Sequence, residues 1–303
     1  LIEFRSVRKE YADGTVAVGD LSLVVPERST TVLLGSSGCG KTTLLRMVNR
    51  MVDPTSGTVL VDGRDVKEQD RVRLRRSIGY VLQAGGLMPH RSVLDNVATV
   101  PRLEGATRRA AHARAAELLE VVGLDPALGR RYPGQLSGGQ QQRVGVARAL
   151  GADPDVLLMD EPFGAVDPIV RADLQAELRR LQAELGKTVL FVTHDVDEAL
   201  RLGDEVVVLR SGGVVAQQGT PAELVAAPAD DFVADFLGLR SRQRQLSVRE
   251  QDGRRLVVDA DGRPVGVLEG SLEGSLEGSL EGSLEGSLEG SLEGSLEGEV
   301  PGA

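Results

Sequence analysis

The chain has 303 residues and a single cysteine, Cys39. One thiol excludes an internal disulfide and fits a reducing compartment. No apolar run approaches the roughly 18 residues that cross a bilayer, so a spanning helix is not expected. A charged-then-apolar leader is also lacking, and secretion is not expected. Excess basic charge is absent too. The net charge is −10, and nine of the 45 acidic residues, all glutamates, fall between 268 and 303. Without them the body holds 36 acidic against 35 basic residues, a balance that leaves no footprint for nucleic acid. The apolar fraction of 41 % is ordinary for a globular core, and the length allows one large domain or two modest ones.

What is present alternates between strand and helix patterns. Residues 1–34 read as short strands with turns, and Asp13-Gly14 is a hairpin signal. "TTVLLG" is a buried strand running into a glycine loop. "KTTLLRMVNRM" follows as a helix with Leu44, Leu45 and Val48 as core. "SGTVLVDGRDV" is a further hairpin-like stretch. Residues 92–153 are helical and alanine-rich, and they read as a subdomain inserted between sheet segments. "DVLLMDEP" and "KTVLFVTH" are buried strands flanking the helix "PIVRADLQAELRRLQAELG". That order predicts a mostly parallel sheet covered by helices. "DEVVVLRSGGVVAQQG" closes the sheet. Thr220 caps a short helical run with Pro221 in its first turn.

Beyond about residue 240 the pattern weakens. "RSRQRQ" reads as a linker, and "RRLVVDADGRPVGVLEG" as one hairpin turning at Asp261-Gly262. "SLEG" then repeats seven times, from Ser271 to Gly298. As a helix the repeat would place glycine at every fourth position, costing about 1 kcal/mol each, and would stack Glu on Glu at i,i+4. Disorder is the expectation for 271–303.

The chemistry begins at "GSSGCGKTT". Gly35, Ser36, Ser37, Gly38, Cys39, Gly40, Lys41, Thr42 and Thr43 fit G-x-x-x-x-G-K-[ST] between a buried strand and a helix, the context that pattern requires. Backbone must wrap a triphosphate, and side chains would block the approach. Lys41 neutralises the β and γ oxygens, and Thr42 offers a hydroxyl to Mg²⁺. The Cys39 thiol is neither ligand nor nucleophile, because phosphoryl transfer needs neither. Asp160 and Glu161 emerge at the carboxyl end of the strand "DVLLMD", the edge where parallel sheets bind ligands. Asp160 is expected to hold Mg²⁺ and Glu161 to polarise the attacking water. His194 ends another buried strand. It either donates to a γ-phosphate or simply caps the strand. Gln83, after "IGYVL", can ligate Mg²⁺ or orient water, or is plain surface. Tyr11 either stacks on a base or is a half-buried hairpin aromatic.

A second anion-grade helix start stands at "LSGGQ". Ser137 can cap it, and Gly138 and Gly139 leave amides uncovered before Gln140. It has no lysine, and spacing alone does not say what it serves.

The ordered set of Tyr11, "GSSGCGKTT", Gln83, "LSGGQ", "VLLMDEP", "GAVD" and His194 resembles the nucleotide-binding subunit of ABC transporters over about residues 1–240. Val166 stands where many relatives read Leu. The resemblance implies a P-loop NTPase fold of class α/β, with an N-terminal antiparallel β subdomain and an inserted helical one. It implies ATP and Mg²⁺ as ligands and a head-to-tail homodimer. Each "LSGGQ" would then cap the partner copy's ATP through Ser137, Gly139 and Gln140, and Asp167 would run along the seam. The lysine-free helix start becomes half a site, completed in trans. Longer stretches, "YPGQLSGGQQQRVGVARAL" and "FVTHDVDEALRLGDEVVVLRSGGVVAQQGTP" among them, look like bacterial importers of glycine betaine, choline and carnitine. Partners implied are transmembrane permease subunits and an extracytoplasmic substrate-binding protein, with the chain peripheral on the cytoplasmic face. "RRLVVDADGRPVGVL" looks like part of one CBS module, too small for the usual pair. An importer of another cargo, or a soluble ABC ATPase of repair or translation, remains as the alternative. The second usually shows coiled-coil inserts, zinc cysteines or tandem cassettes, and this sequence has none.

Overall fold

Burial sorts the strands into two kinds. β1 (Ile2–Glu10) and β2 (Val16–Val25) alternate between covered and open positions, as half-buried antiparallel strands do. They pair across a turn in which Gly14 takes φ +84°, the Asp13-Gly14 hairpin signal realised. β3 (Thr30–Gly35) is buried at all six positions. Such a strand needs cover on both faces and belongs inside a parallel sheet. The structure is a computed structural model that describes residues 1–83, 86–164, 168–240, 247–251, 254–259 and 262–268.

After β3 come α1 (Lys41–Val48), β4 (Ser56–Val61), β5 (Arg64–Asp65), α2 (Arg71–Ser77) and β6 (Ile78–Val81). The helical block follows as α3 (Val93–Val97), α4 (Thr99–Leu103), α5 (Arg108–Val121) and α6 (Gly138–Ala149). Then β7 (Val156–Asp160), α7 (Pro168–Leu185), β8 (Thr188–Thr193), α8 (Val196–Leu202), β9 (Glu205–Arg210) and β10 (Val214–Gly219) complete the sheet. The antiparallel sheet runs β2-β1-β4-β5 and the main sheet β10-β9-β3-β8-β7-β6. β3 pairs parallel with β8 and β9, and β7 with β6 and β8. Ile2, Phe4 and Val25 from the first sheet share one core with Leu158, Leu190 and Val207 from the second. Leu44, Leu45 and Val48 of α1 are fully buried in that core, as their helical spacing predicts.

Contacts gather the chain into two units, one over Leu1–Gln218 and one over the described part of 219–303. The second opens with α9 (Pro221–Ala226), capped by Thr220 in a reciprocal box with Glu223, and α10 (Asp231–Phe236). Its sheet is a difference from expectation. β12 (Arg254–Val258) and β13 (Pro264–Leu268) form the expected hairpin, with Gly262 at φ +77° in the turn. β11 (Ser247–Gln251) adds a third strand beside β12. "SVREQ" is short and charged, with too little alternation to announce a strand. The linker at 241–246, Asp261 and the repeat at 271–303 lie outside the described residues.

Candidate functional site

The carboxyl ends of the parallel strands converge on one edge. Register pairs Leu34 with Thr193, Val192 with Asp160 and Met159 with Val81. The glycine loop after β3, the acidic pair after β7, His194 after β8 and Gln83 after β6 therefore emerge together. Ligands bind at that edge in parallel α/β sheets.

The loop from Gly35 to Gly40 delivers the chain into α1. Gly40 is the N-cap at φ +109°, and no side chain caps this helix. Neighbouring helices are capped from their own sequence, α2 by Asp70, α3 by Ser92 and α5 by Thr107. The first N–H groups of α1 are thus left for an external anion. A Cβ on Gly40 would stand 2.2 Å from the Ala17 carbonyl oxygen, so only glycine lets the loop pass β2 there. Lys41 is buried, and its Nζ donates to the carbonyls of Gly35 at 2.6 Å and Ser36 at 2.9 Å. Those bonds hold the ammonium across the loop. The cleft measures about 180 Å³ and is lined by Ser37, Gly38 and residues 40–43, with Ala17 and Glu161 at its walls. Cys39 is buried behind the loop with its Sγ 3.9 Å from Lys41 Nζ.

The acidic pair splits between two tasks. Asp160 is the last residue of β7 and is buried. Its Oδ1 accepts from Thr42 Oγ1 at 2.8 Å and its Oδ2 from the Tyr80 hydroxyl at 3.3 Å. Glu161 then turns left-handed at φ +45°, anchored by its N–H on the Val192 carbonyl at 2.9 Å. A non-glycine residue in that region costs about 1–3 kcal/mol, and such strain gathers at working sites. The turn sends the Glu161 carboxylate away from Asp160. Its Oε2 lies 3.2 Å from His194 Nδ1 and 3.5 Å from Gln83 Nε2. Glu161, His194 and Gln83 stand together, and Thr42 stands with Asp160.

Tyr80 and Arg46 were not marked by sequence reasoning. Burial pushes the Tyr80 phenol up from its ordinary range, so it stays protonated and able to donate at neutral pH. The Arg46 guanidinium lies 3.8 Å from Asp160 Oδ2. Only the β6–β7 register places Tyr80 beside Asp160, and spacing along the chain carries no trace of it.

Tyr11 follows β1, and its ring is exposed rather than half-buried. Lys9 Nζ lies 5.2 Å from the ring centroid, a cation–π distance. At the second helix start, Ser137 Oγ accepts from the Gln140 N–H at 3.3 Å, and Gln140 Oε1 accepts from the Ser137 N–H at 3.1 Å. The Gln140 side chain thus closes its own capping box. Ser137 and Gly138 are exposed, while Gly139 is buried. Asp167 lies outside the described residues.

The donor set suits a hard divalent cation. Thr42, which lines the cleft, and Asp160 hold their oxygens 2.8 Å apart. Mg²⁺ commonly takes one or two protein oxygens and completes its shell with phosphates and water. With its hydrogen given to Asp160, the Thr42 oxygen keeps lone pairs for the metal. The residues present fit Mg²⁺ bound together with a nucleotide.

Sheet, uncapped loop helix and split acidic pair define a P-loop NTPase fold. The ABC transporter family matches residues 18–164. The carnitine transport ATP-binding protein OpuCA of Listeria monocytogenes is 48% identical over 238 residues, covering 78% of this chain and 60% of that protein. The glycine betaine uptake system ATP-binding protein YehX of Escherichia coli K12 is 50% identical over 249 residues, covering 82% and 79%. Among solved structures, a dimeric bacterial ABC transporter cassette, MJ0796, superposes with a TM-score of 0.66 at 33% identity, over 73% of this chain and 99% of that one. The chain belongs to the ABC transporter ATP-binding subunits, in a branch closely related to the osmoprotectant importer ATPases. It spans 60% of the length of the carnitine relative.

Proposed function

We propose that this chain is the ATP-hydrolysing subunit of an ABC importer for quaternary-amine osmoprotectants of the glycine betaine, choline and carnitine class. One observation carries the enzymatic part. The left-handed turn at Glu161 points one carboxylate at the Thr42 hydroxyl and the next at Gln83 and His194. A metal-holding group and a water-polarising group are thereby separated within two consecutive residues.

In this reading residues 1–240 carry the ATPase. Lys41 and the first amides of α1 neutralise the phosphates, and Tyr11 stacks on adenine. Thr42 and Asp160 hold Mg²⁺, which supplies charge neutralisation at the phosphate oxygens when bound. Glu161 polarises the attacking water, Gln83 orients it, and His194 donates to the terminal phosphate after leaving Glu161. Two copies pair head to tail, and Ser137, Gly138, Gly139 and Gln140 of each close the other's site. Nucleotide binding shifts the pair between open and closed states.

The cleft of about 550 Å³ between His90 and Tyr132, lined also by Asp95, Arg102 and Arg108, suits a permease segment. Among the described residues no helix is long and apolar enough to cross a membrane. By likeness to transport ATP-binding relatives, a separate permease working with an extracytoplasmic binding protein supplies the passage, and this subunit sits on the cytoplasmic face. The cargo class is supported by the carnitine and glycine betaine relatives.

Glu161→Gln tests the assignment. ATP binding is expected to persist while hydrolysis falls about 100-fold or more, the scale of a lost general base. The variant is also expected to accumulate as a nucleotide-dependent dimer in size-exclusion chromatography. Wild-type turnover in the variant would remove Glu161 from its role. Uptake of labelled glycine betaine by the reconstituted importer tests the cargo, and uptake of an unrelated cargo alone would refute it.

A further inference from the structure

We propose that Tyr80 is a positioning residue for the metal-binding carboxylate of Asp160. The inference rests on the nucleotide–Mg²⁺ reading of the cleft. Asp160 is held from two sides by elements that meet only in the folded sheet. Thr42, in the first turn of α1, takes Oδ1 at 2.8 Å. Tyr80, in the edge strand β6, takes Oδ2 at 3.3 Å.

A carboxylate only accepts, so both hydroxyls donate to Asp160. Tyr80 gives its hydrogen to Oδ2 and Thr42 gives its own to Oδ1. The Thr42 oxygen keeps its lone pairs.

Arg46 lies 3.8 Å from Oδ2 with a side chain 46% exposed. At that distance and exposure the ion pair is weak and does not fix the carboxylate by itself. Replacing Tyr80 with phenylalanine keeps the ring and its packing and removes only the hydroxyl. Asp160 is then hydrogen-bonded by Thr42 on one oxygen only, and its last torsion, which has a broad, roughly two-fold profile, is less constrained. A metal ligand without its supporting hydrogen bond typically loses about 10–100-fold in metal affinity.

The experiment uses the full-length chain with Mn²⁺ as the probe and a non-hydrolysable ATP analogue, AMPPNP. Electron paramagnetic resonance reads Mn²⁺ taken up into the protein–nucleotide complex, and a fluorescent ATP analogue in EDTA reads nucleotide affinity without metal. Tyr80→Phe is expected to weaken Mn²⁺ uptake about tenfold and to leave the EDTA affinity unchanged. Unchanged Mn²⁺ uptake in Tyr80→Phe would overturn the proposal. An equal loss in EDTA would also overturn it, by making Tyr80 structural. Failure of the wild-type chain to take up Mn²⁺ with nucleotide would instead overturn the underlying Mg²⁺ reading.

Discussion

At the scale of single residues, two glycines of one loop are expected to behave differently. Both Gly38 and Gly40 have positive φ, at +81° and +109°. A Cβ on Gly38 meets nothing within 4 Å, whereas one on Gly40 runs into the Ala17 carbonyl. Gly38→Ala is therefore expected to cost about 1–2 kcal/mol, the left-handed penalty alone. Gly40→Ala adds a backbone clash and is expected to cost about 3 kcal/mol or more, and to abolish nucleotide binding. Chemical unfolding of the two variants checks this, and equal losses would contradict it. The nine-residue motif marks both glycines, yet only the approach of β2 separates them. Motif spacing likewise marks Lys41, Asp160 and Glu161 but says nothing of the +45° turn that parts the two carboxylates. Tyr80 carries no local signature at all, and its meeting with Asp160 is a product of strand register.

At the scale of elements, α8 braces the turn that carries His194. Asp195 caps α8 by accepting from the N–H groups of Asp197 and Glu198. Glu198 is buried, and its Oε2 accepts from Thr193 Oγ1 at 2.7 Å. Arg171 of α7 reaches Asp195 Oδ2 at 3.3 Å and lies 4.0 Å from Glu198 Oε1. Burial pushes the Glu198 carboxyl above its ordinary range, and the Thr193 hydroxyl and Arg171 only partly oppose that. The folded state thus holds this proton more tightly than the unfolded chain. Its stabilising contribution is complete below the unfolded value and is lost as pH rises through the folded one. The unfolding free energy of the wild type relative to Glu198→Gln is expected to be larger at about pH 4 than at pH 7. Chemical unfolding at the two pH values measures it, and the reverse trend would contradict the burial argument. Element identity was largely legible in the sequence, because continuous apolar runs mark β3, β7 and β8 and cap residues mark α6 and α9. β11 was not, since its charged, five-residue stretch is held by its neighbour β12 rather than by its own pattern.

At the scale of the whole molecule, two anion-grade helix starts ask for an explanation. The α1 start is uncapped and has Lys41 across its loop. The α6 start closes its own box between Ser137 and Gln140 and presents Ser137 and Gly138 outward. The proposed head-to-tail pairing would give the second start a task that a lone copy lacks. One copy, on that proposal, does not complete the site for itself. ATPase turnover per chain across a dilution series tests this most directly, with the oligomeric state read at each concentration by analytical ultracentrifugation. Turnover is expected to fall with the dimer fraction, and Ser137→Arg is expected to suppress it at every concentration while nucleotide binding persists. Constant turnover in a monomeric preparation, with Ser137→Arg as active as the wild type, would contradict the account.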